Sequence, residues 1–281
     1  MLIRKISDKK LIENHFRKNT DLNLYQLGDL DEFFWKFTEW FGLYEENEIK
    51  QIVLIYKGTD LAVIIALCDN GLEEMKYLIE KIKMNLPDKF YSHLSKGLAE
   101  TLSDKYELTS HGTYLKMTLD KERFLNNHEI KDKNVRRLKV SELNDIQEIY
   151  KRSYPGNWFD KRMLETGKYF GYFNEANGKL AGVSGIHVYS PLYKVAVLGN
   201  ITTDPEFRGL QICRKTTSAL CWDLFETVDN IGLNVNKENT AAIQSYKNVG
   251  FEITGEYEEY MAEKMNYNTE PRSHRENTYM K

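Results

Sequence analysis

The chain has 281 residues, enough for one large domain or two ordinary ones, with 41% hydrophobic and 12% aromatic residues. Its 39 Lys and Arg against 42 Asp and Glu leave a formal charge of −3, which excludes the basic footprint of a dedicated nucleic-acid binder. Cys68, Cys213 and Cys221 stand in no C-x-x-C spacing, no apolar segment follows the first six residues, and the longest apolar run, 61–68, is too short to span a bilayer, so a soluble cytoplasmic protein with free thiols and no membrane partner is expected.

In chain order, the pattern predicts a strand over 2–6 and helices over 11–16 and 22–30. The aromatic stretch 33–41 serves either packing between halves or an acceptor pocket. Strands over 49–56 and 61–68 flank the turn Lys57-Gly58-Thr59-Asp60. An amphipathic helix over 72–84, a strand near Phe90-Tyr91, a helix over 94–103 and a strand over 113–119 complete the first half. The polar stretch 126–134 lacks apolar periodicity and reads as a linker. The expected units are therefore 1–126, a linker at 127–134, a second unit at 135–265 and a polar, loosely attached tail at 266–281.

The second half opens with a short strand over 135–140 and a helix from 141 to 153, with Leu143, Ile146 and Ile149 on one face. Pro155-Gly156 breaks it. A second helix follows over 160–166, then strands over 169–174, 179–189 and 192–203. A basic turn, Phe207-Arg208-Gly209-Leu210-Gln211-Ile212-Cys213-Arg214, opens a helix over 212–228. A short strand at 233–236, a helix at 240–249 closed by Gly250, and a last strand or hairpin at 252–261 end the unit.

Two segments carry the chemistry. A helix N-terminus leaves backbone N–H groups unpaired and bears partial positive charge, so the basic turn is an anion site, with Arg208, Arg214 and Lys215 adding charge. No such turn lies between Asp69 and Glu73 in the first half. In the helix at 240–249, Asn239 at the start and Tyr246 two turns later lie on one face.

The element order over 135–262, the Ile201-Thr202-Thr203-Asp204-Pro205 strand end before Arg208-Gly209, and the series Asn239, Ala242, Tyr246, Gly250-Phe251 resemble the GNAT superfamily of acetyl-CoA-dependent N-acyltransferases. The family turn, Arg/Gln-x-x-Gly-x-Gly/Ala, is matched at Arg208 and Gly209. It departs at Gln211 and Cys213, where small residues are expected. The resemblance implies an α/β fold with a mixed central sheet flanked by helices, in two tandem GNAT-like halves of which the N-terminal one is degenerate. That layout is similar to glycine N-acyltransferase-like proteins; an unrelated α+β first half is the alternative.

The same resemblance implies a donor, acetyl-CoA, held by Ile201 and Thr203 of the strand, by Arg208, Gly209, Leu210, Gln211, Ile212, Cys213 and Arg214 of the turn, and by Asn239 at the pantetheine arm. Tyr246 would protonate the leaving thiolate, which suits a phenol of ordinary pKa near about 10. The strand lacks the glutamate that the family often uses as base. His187 is the candidate in its place, Asn200 would order a water, and Glu165 and Asp160 stand further off. Trp158 and Phe159 form either an acceptor wall or a buried staple. The implied reaction is direct transfer of acetyl to a small-molecule or peptide primary amine in a ternary complex, with no metal and no nucleic acid. A non-catalytic acyl-CoA sensor or scaffold and an aminoacyl-tRNA-dependent aminoacyltransferase are the alternatives.

Overall fold

The computed structural model describes residues 1–126 and 132–265. The first half runs β1 (Leu2–Lys5), α1 (Lys9–Phe16), α2 (Leu24–Gly28), α3 (Glu32–Trp35), β2 (Thr38–Glu45), β3 (Glu48–Tyr56), β4 (Ala62–Ala66), α4 (Leu72–Ile82), β5 (Lys89–Leu94), β6 (Tyr106–Leu119) and α5 (Lys121–Asn126). The second runs β7 (Val135–Arg137), α6 (Leu143–Ser153), β8 (Phe170–Phe173), β9 (Leu180–Ser190), β10 (Val195–Thr203), α7 (Ile212–Leu224), β11 (Asn230–Asn236), α8 (Thr240–Lys247) and β12 (Glu252–Lys264).

All twelve strands join one mixed sheet, in the order β1-β2-β3-β4-β5-β12-β6-β11-β10-β9-β8-β7. Each half follows the same plan. Antiparallel strands lead to a helix that crosses over to a parallel partner, β4 through α4 to β5 and β10 through α7 to β11. Parallel neighbours need such a crossover, because a tight turn joins only antiparallel strands. The last strand of each half then inserts into the other. β6 lies between β11 and β12, and β12 lies between β5 and β6, every contact antiparallel. The sheet is thus closed across its middle by a reciprocal strand exchange.

Helices cover both faces. Leu78, Ile79 and Ile82 of α4 pack with Val53, Ile64 and Phe90 of the sheet, while Leu220 and Leu224 of α7 pack with Val183, Ile231 and Leu233. Helix α2 belongs to the first half but lies on strands of the second. Gly28 and Gly232 make that approach possible: a Cβ on Gly28 would stand 1.9 Å from Val188, and one on Gly232 would stand 2.3 Å from Leu24. Arg162 fastens the halves further, donating to the Gly58 carbonyl at 3.1 Å and lying over the rings of Phe33 and Phe37. The aromatic stretch at 33–41 therefore contributes to packing between halves. No helix among the described residues is long and apolar enough to cross a membrane.

Several element expectations change. No helix covers 94–103: β5 ends at Leu94, Gly97 takes a positive φ of 86°, and only a 3₁₀ turn forms at Ala99–Thr101. Strand β2 occupies part of the aromatic stretch, and β6 starts at Tyr106 rather than at 113. The 160–166 helix is 3₁₀, over Lys161–Thr166, with Asp160 as its N-cap. The 252–261 segment is a single strand rather than a hairpin. Residues 127–131 of the expected linker and the whole tail at 266–281 lie outside the described residues.

Asp29, at the end of α2, is 4% exposed, and burial pushes its carboxyl up to about 8. A carboxyl raised in the folded state leaves the fold most stable below its unfolded pKa of about 3.9, and stability falls as pH rises through the folded value. Asp29→Asn is therefore expected to lose less stability than wild type between pH 5 and pH 9, the gap reaching about 2 kcal/mol or more in denaturant titrations. The strand exchange yields a second prediction. Residues 132–265 expressed alone leave β11 and β12 without β6, and are expected to lack a cooperative unfolding transition by circular dichroism.

Candidate active site

Strands β10 and β11 keep their parallel register only from Val195↔Asn230 to Leu198↔Leu233. Beyond it β10 is bulged against β9, with a register shift between Gly199 and Thr202. Asn200 sits in the bulge at φ 55°, a left-handed conformation that asparagine tolerates better than most residues. Its carbonyl accepts from the Tyr150 hydroxyl at 2.8 Å, its Nδ2 donates to the Tyr169 hydroxyl at 3.1 Å, and its Oδ1 accepts from Asn157 at 3.3 Å. Both ends of the amide are engaged, so Asn200 holds the bulge. Ile201 and Thr203 follow on the stretch of β10 that β11 no longer pairs.

After Thr203 the chain enters the turn. Asp204 is 2% exposed and pairs with Arg152 at 2.9 Å and Lys179 at 3.4 Å, while Pro205 starts a 3₁₀ turn at Pro205–Phe207. Gly209 takes φ 83° and Gln211, the N-cap of α7, takes φ 59°. A left-handed glutamine is strained, and its side chain turns back so that Oε1 accepts from Arg214 at 3.4 Å. Arg208, Gly209, Leu210 and Gln211 are exposed, Ile212 is buried, and no acidic residue stands in the first turn of α7. The half-buried Cys213 has its thiol pushed up by burial, so it stays protonated. Lys215 is committed to Asp132 at 2.9 Å, which leaves Arg208 and Arg214 as the turn's cations.

Asn239 caps α8, its Oδ1 accepting from Ala242 N–H at 3.2 Å. Tyr246, two turns on, is 7% exposed and rests edge-on against Phe251 at 6.2 Å. Burial, with Cys213 and Tyr154 nearby, pushes its phenol well above the usual value; it stays protonated at neutral pH.

Three polar atoms around this opening are buried without a partner among the described residues: Thr203 Oγ1 at the end of β10, Asn234 Nδ2 on β11, and Arg214 Nε in α7. Buried polar atoms are normally hydrogen-bonded. Orphans beside unpaired N–H groups fit an extended ligand with many acceptors and an anionic end, which is the chemistry of an acyl-CoA. The corresponding turn of the first half is different. Asp69, Glu73 and Glu74 flank the start of α4, and the Gln51 side chain donates to the carbonyls of Asn70 and Gly71 at 2.9 and 3.2 Å. That turn repels an anion.

On the opposite side of the opening, His187 of β9 lies across Gly199, where a Cβ would stand 1.9 Å from its ring. Loss of water pushes the imidazole down to about 4, so it is neutral at physiological pH and weak as a base. Trp158 is 37% exposed and meets Tyr91 of β5 edge-on at 6.2 Å. Phe159 turns inward against Tyr150 at 5.1 Å and Tyr169 at 6.0 Å. Asp160 caps its 3₁₀ turn and pairs with Arg162, and Glu165 is exposed.

Sequence reasoning missed the groups that the first half and β12 bring to this face. Glu259 of β12 accepts from the hydroxyls of Tyr91 and, at 2.5 Å, Tyr257, and lies 3.4 Å from His93 Nε2. Tyr114 also bonds to it. Lys116 of β6 lies over the rings of Tyr257 and Tyr25, at 5.2 and 5.6 Å, opposite Asn234 in the β6–β11 register. Burial pushes Lys116 down to about 7 and raises Glu259 above its ordinary value. The only local signal is the alternation of tyrosine and glutamate along β12, which reads equally as a solvated strand.

Residues 143–251 match the model of the acetyltransferase (GNAT) family. The chain carries a GNAT-family domain. Solved structures extend the likeness in fold to nearly the whole chain. A Drosophila protein has 11% identity, with 95% of this chain and 99% of that one covered at a TM-score of 0.71. A GNAT-family acetyltransferase from Colwellia psychrerythraea has 13% identity, 93% and 99% coverage and a TM-score of 0.56. A tandem GNAT protein from the clavulanic acid biosynthesis pathway has 12% identity, 93% and 98% coverage and a TM-score of 0.56. No curated protein matches the sequence. The fold is that of tandem GNAT proteins, and domain and fold together support acyl transfer in general.

Gln211→Gly removes a Cβ from a left-handed position in the GNAT domain's turn. The variant is expected to be more stable than wild type by up to about 1 kcal/mol in denaturant titrations, because the strain of the left-handed glutamine is relieved.

Proposed function

We propose that the protein is an N-acetyltransferase, moving an acetyl group from acetyl-CoA directly to a primary amine in a ternary complex. The observation that carries this reading is the parting of β10 from β11 after Leu198↔Leu233, beside the Asn200 bulge and the acid-free start of α7. In this reading 135–265 is the catalytic unit, 1–126 its degenerate tandem partner, and the compartment cytoplasmic, in keeping with three free cysteines.

Each residue then has a role that its chemistry supports. Backbone groups of Ile201 and Thr203 hold the pantetheine arm along the unpaired stretch of β10. The N–H groups from Gly209 to Arg214, with the Arg208 and Arg214 guanidiniums, take the pyrophosphate. Asn239 spends its Oδ1 on capping α8, which leaves its Nδ2 for the arm. A backbone N–H at the bulge polarises the acyl carbonyl as charge develops on its oxygen. Tyr246, buried and protonated, gives its proton to the departing thiolate and recovers one from the attacking nitrogen. Asn200 and its three partners fix the bulge against which the acyl group sits.

Calorimetric titration with acetyl-CoA tests the donor site. Wild type is expected to bind at micromolar Kd, Arg208→Ala to weaken binding by about tenfold, and Tyr246→Phe to leave binding intact while lowering turnover by about 10²-fold. Absence of binding at millimolar acetyl-CoA removes the enzymatic reading in favour of a scaffold or another donor.

A further inference from the structure

The strand exchange places a carboxylate where the first half meets the GNAT domain. Glu259 belongs to β12, but its neighbours on the sheet are His93 of β5 and Gly112 of β6, both from the first half. Its side chain keeps 7% of its surface accessible and that of His93 keeps 12%, so the group is sheltered yet not sealed. Above it stand two exposed aromatic side chains from the segment after α6, Tyr154 at 47% and Trp158 at 37%. Tyr154 interacts electrostatically with Glu259 on one side and with Tyr246 on the other. Tyr154 therefore lies within electrostatic reach of both the carboxylate and the proposed proton donor to sulfur.

The composition of this recess is specific. Its rings, Tyr91, Tyr114, Tyr257 and Trp158, come from both halves and present faces and edges around one anion. Lys116 has no ion pair among the described residues and lies over ring faces instead. An aromatic enclosure with a carboxylate at its base recognises an ammonium by charge and by the ring quadrupole. His187 and His93, both with imidazoles pushed down by burial, are poor acceptors for the proton of an incoming ammonium.

From this arrangement we infer that Glu259 binds the acceptor's ammonium and removes its proton, and that the acceptor is a primary amine carrying a flat apolar group. This rests on the acyl-transfer reading above and deepens it. One proton passes from the ammonium to the Glu259 carboxylate and on to water at the rim. The freed nitrogen lone pair forms the C–N bond at the thioester carbonyl while the C–S bond breaks. The sulfur leaves with the electron pair and takes the nitrogen's second proton by way of the Tyr246 hydroxyl. The products are an amide, a thiol and one released proton. The first half, with its own anion turn lost, is then retained because its strands build the acceptor recess.

The test uses the full chain, acetyl-CoA as donor and 2-phenylethylamine as acceptor probe, with thiol release as readout and donor affinity measured separately by calorimetry. Glu259→Gln is expected to lower kcat by about 10²–10⁴-fold while acetyl-CoA binds within about threefold of wild type, and Glu259→Asp to recover part of the rate. Trp158→Ala, at a partly exposed position, is expected to raise KM for the probe by about tenfold with little change in kcat. Turnover by Glu259→Gln close to wild type overturns the assignment. So does a wild-type protein that binds acetyl-CoA but neither binds nor acetylates the probe. Loss of acetyl-CoA binding in wild type overturns the donor reading instead. If Glu259→Gln does not fold, an unchanged KM in Trp158→Ala counts against the recess.

Discussion

The backbone ladder between β6 and β12 is the constraint on which the rest of the molecule depends. It runs from Glu252↔Thr118 to Lys264↔Tyr106, interrupted by two register shifts. A half that kept its own last strand would end in a row of unpaired N–H and C=O groups, a template for unwanted pairing. Exchange removes both edges at once and leaves only β1 and β7 at the margins of the sheet. It also fixes which side chains meet. Strand pairing sets register, and register sets the face on which every second residue falls. Tyr91, His93, Tyr114, Lys116, Tyr257 and Glu259 share a face because β12 threads between β5 and β6 in this register.

Two non-glycine residues of the site take left-handed backbone, and they are held in different ways. Such a conformation costs about 1–3 kcal/mol and persists only where the surroundings over-determine it. Asn200 satisfies that condition with three hydrogen bonds, accepting from Tyr150 and Asn157 and donating to the Tyr169 hydroxyl, inside a rigid sheet. Gln211 is exposed, its carbonyl accepts from Lys215 N–H at 3.0 Å, and its side chain has a long contact to Arg214. The bulge is therefore the stiff end of the opening and the turn the compliant end. Geometry at the reacting carbonyl is set by the sheet, while affinity for the phosphate end depends on a residue that the fold leaves comparatively free.

The difference between local and long-range signals explains what the sequence revealed. The run from β10 to α8 was legible because its punctuation is local: Asp204-Pro205 ending the strand, Gly209 in the turn, Asn239 as N-cap, Gly250 at the C-terminus of α8. The aromatic run at 33–41 hid β2, because rings serve a strand and a packing cluster equally. Residues 94–103 carry enough apolar positions for a helix, yet Ser95-Lys96-Gly97 breaks it and tertiary packing buries Leu98 and Leu102 in irregular structure. The strand exchange has no local signature. Glu259 was illegible for that reason: a glutamate in an alternating Tyr-Glu-Glu-Tyr strand reads as solvent-facing until the strand is known to have neighbours on both sides.

The charged and polar groups at the seam are a poor way to hold two halves together. Lys116 pushed down to about 7, His93 pushed down to about 3, and Glu259 raised above its ordinary range all show the charged form disfavoured by loss of water. A buried ionic cluster is often no more stabilising than apolar residues of the same volume. Apolar contacts already fasten the halves, through Leu24 and Leu27 of α2, Val188 and Val195 of the sheet, and the rings around Arg162. Leucine or phenylalanine at 259 and 116 would serve the fold at least as well. Polar groups kept at a cost in a sheltered but not sealed cluster at the seam are better explained by a ligand that needs them than by the stability of the sheet.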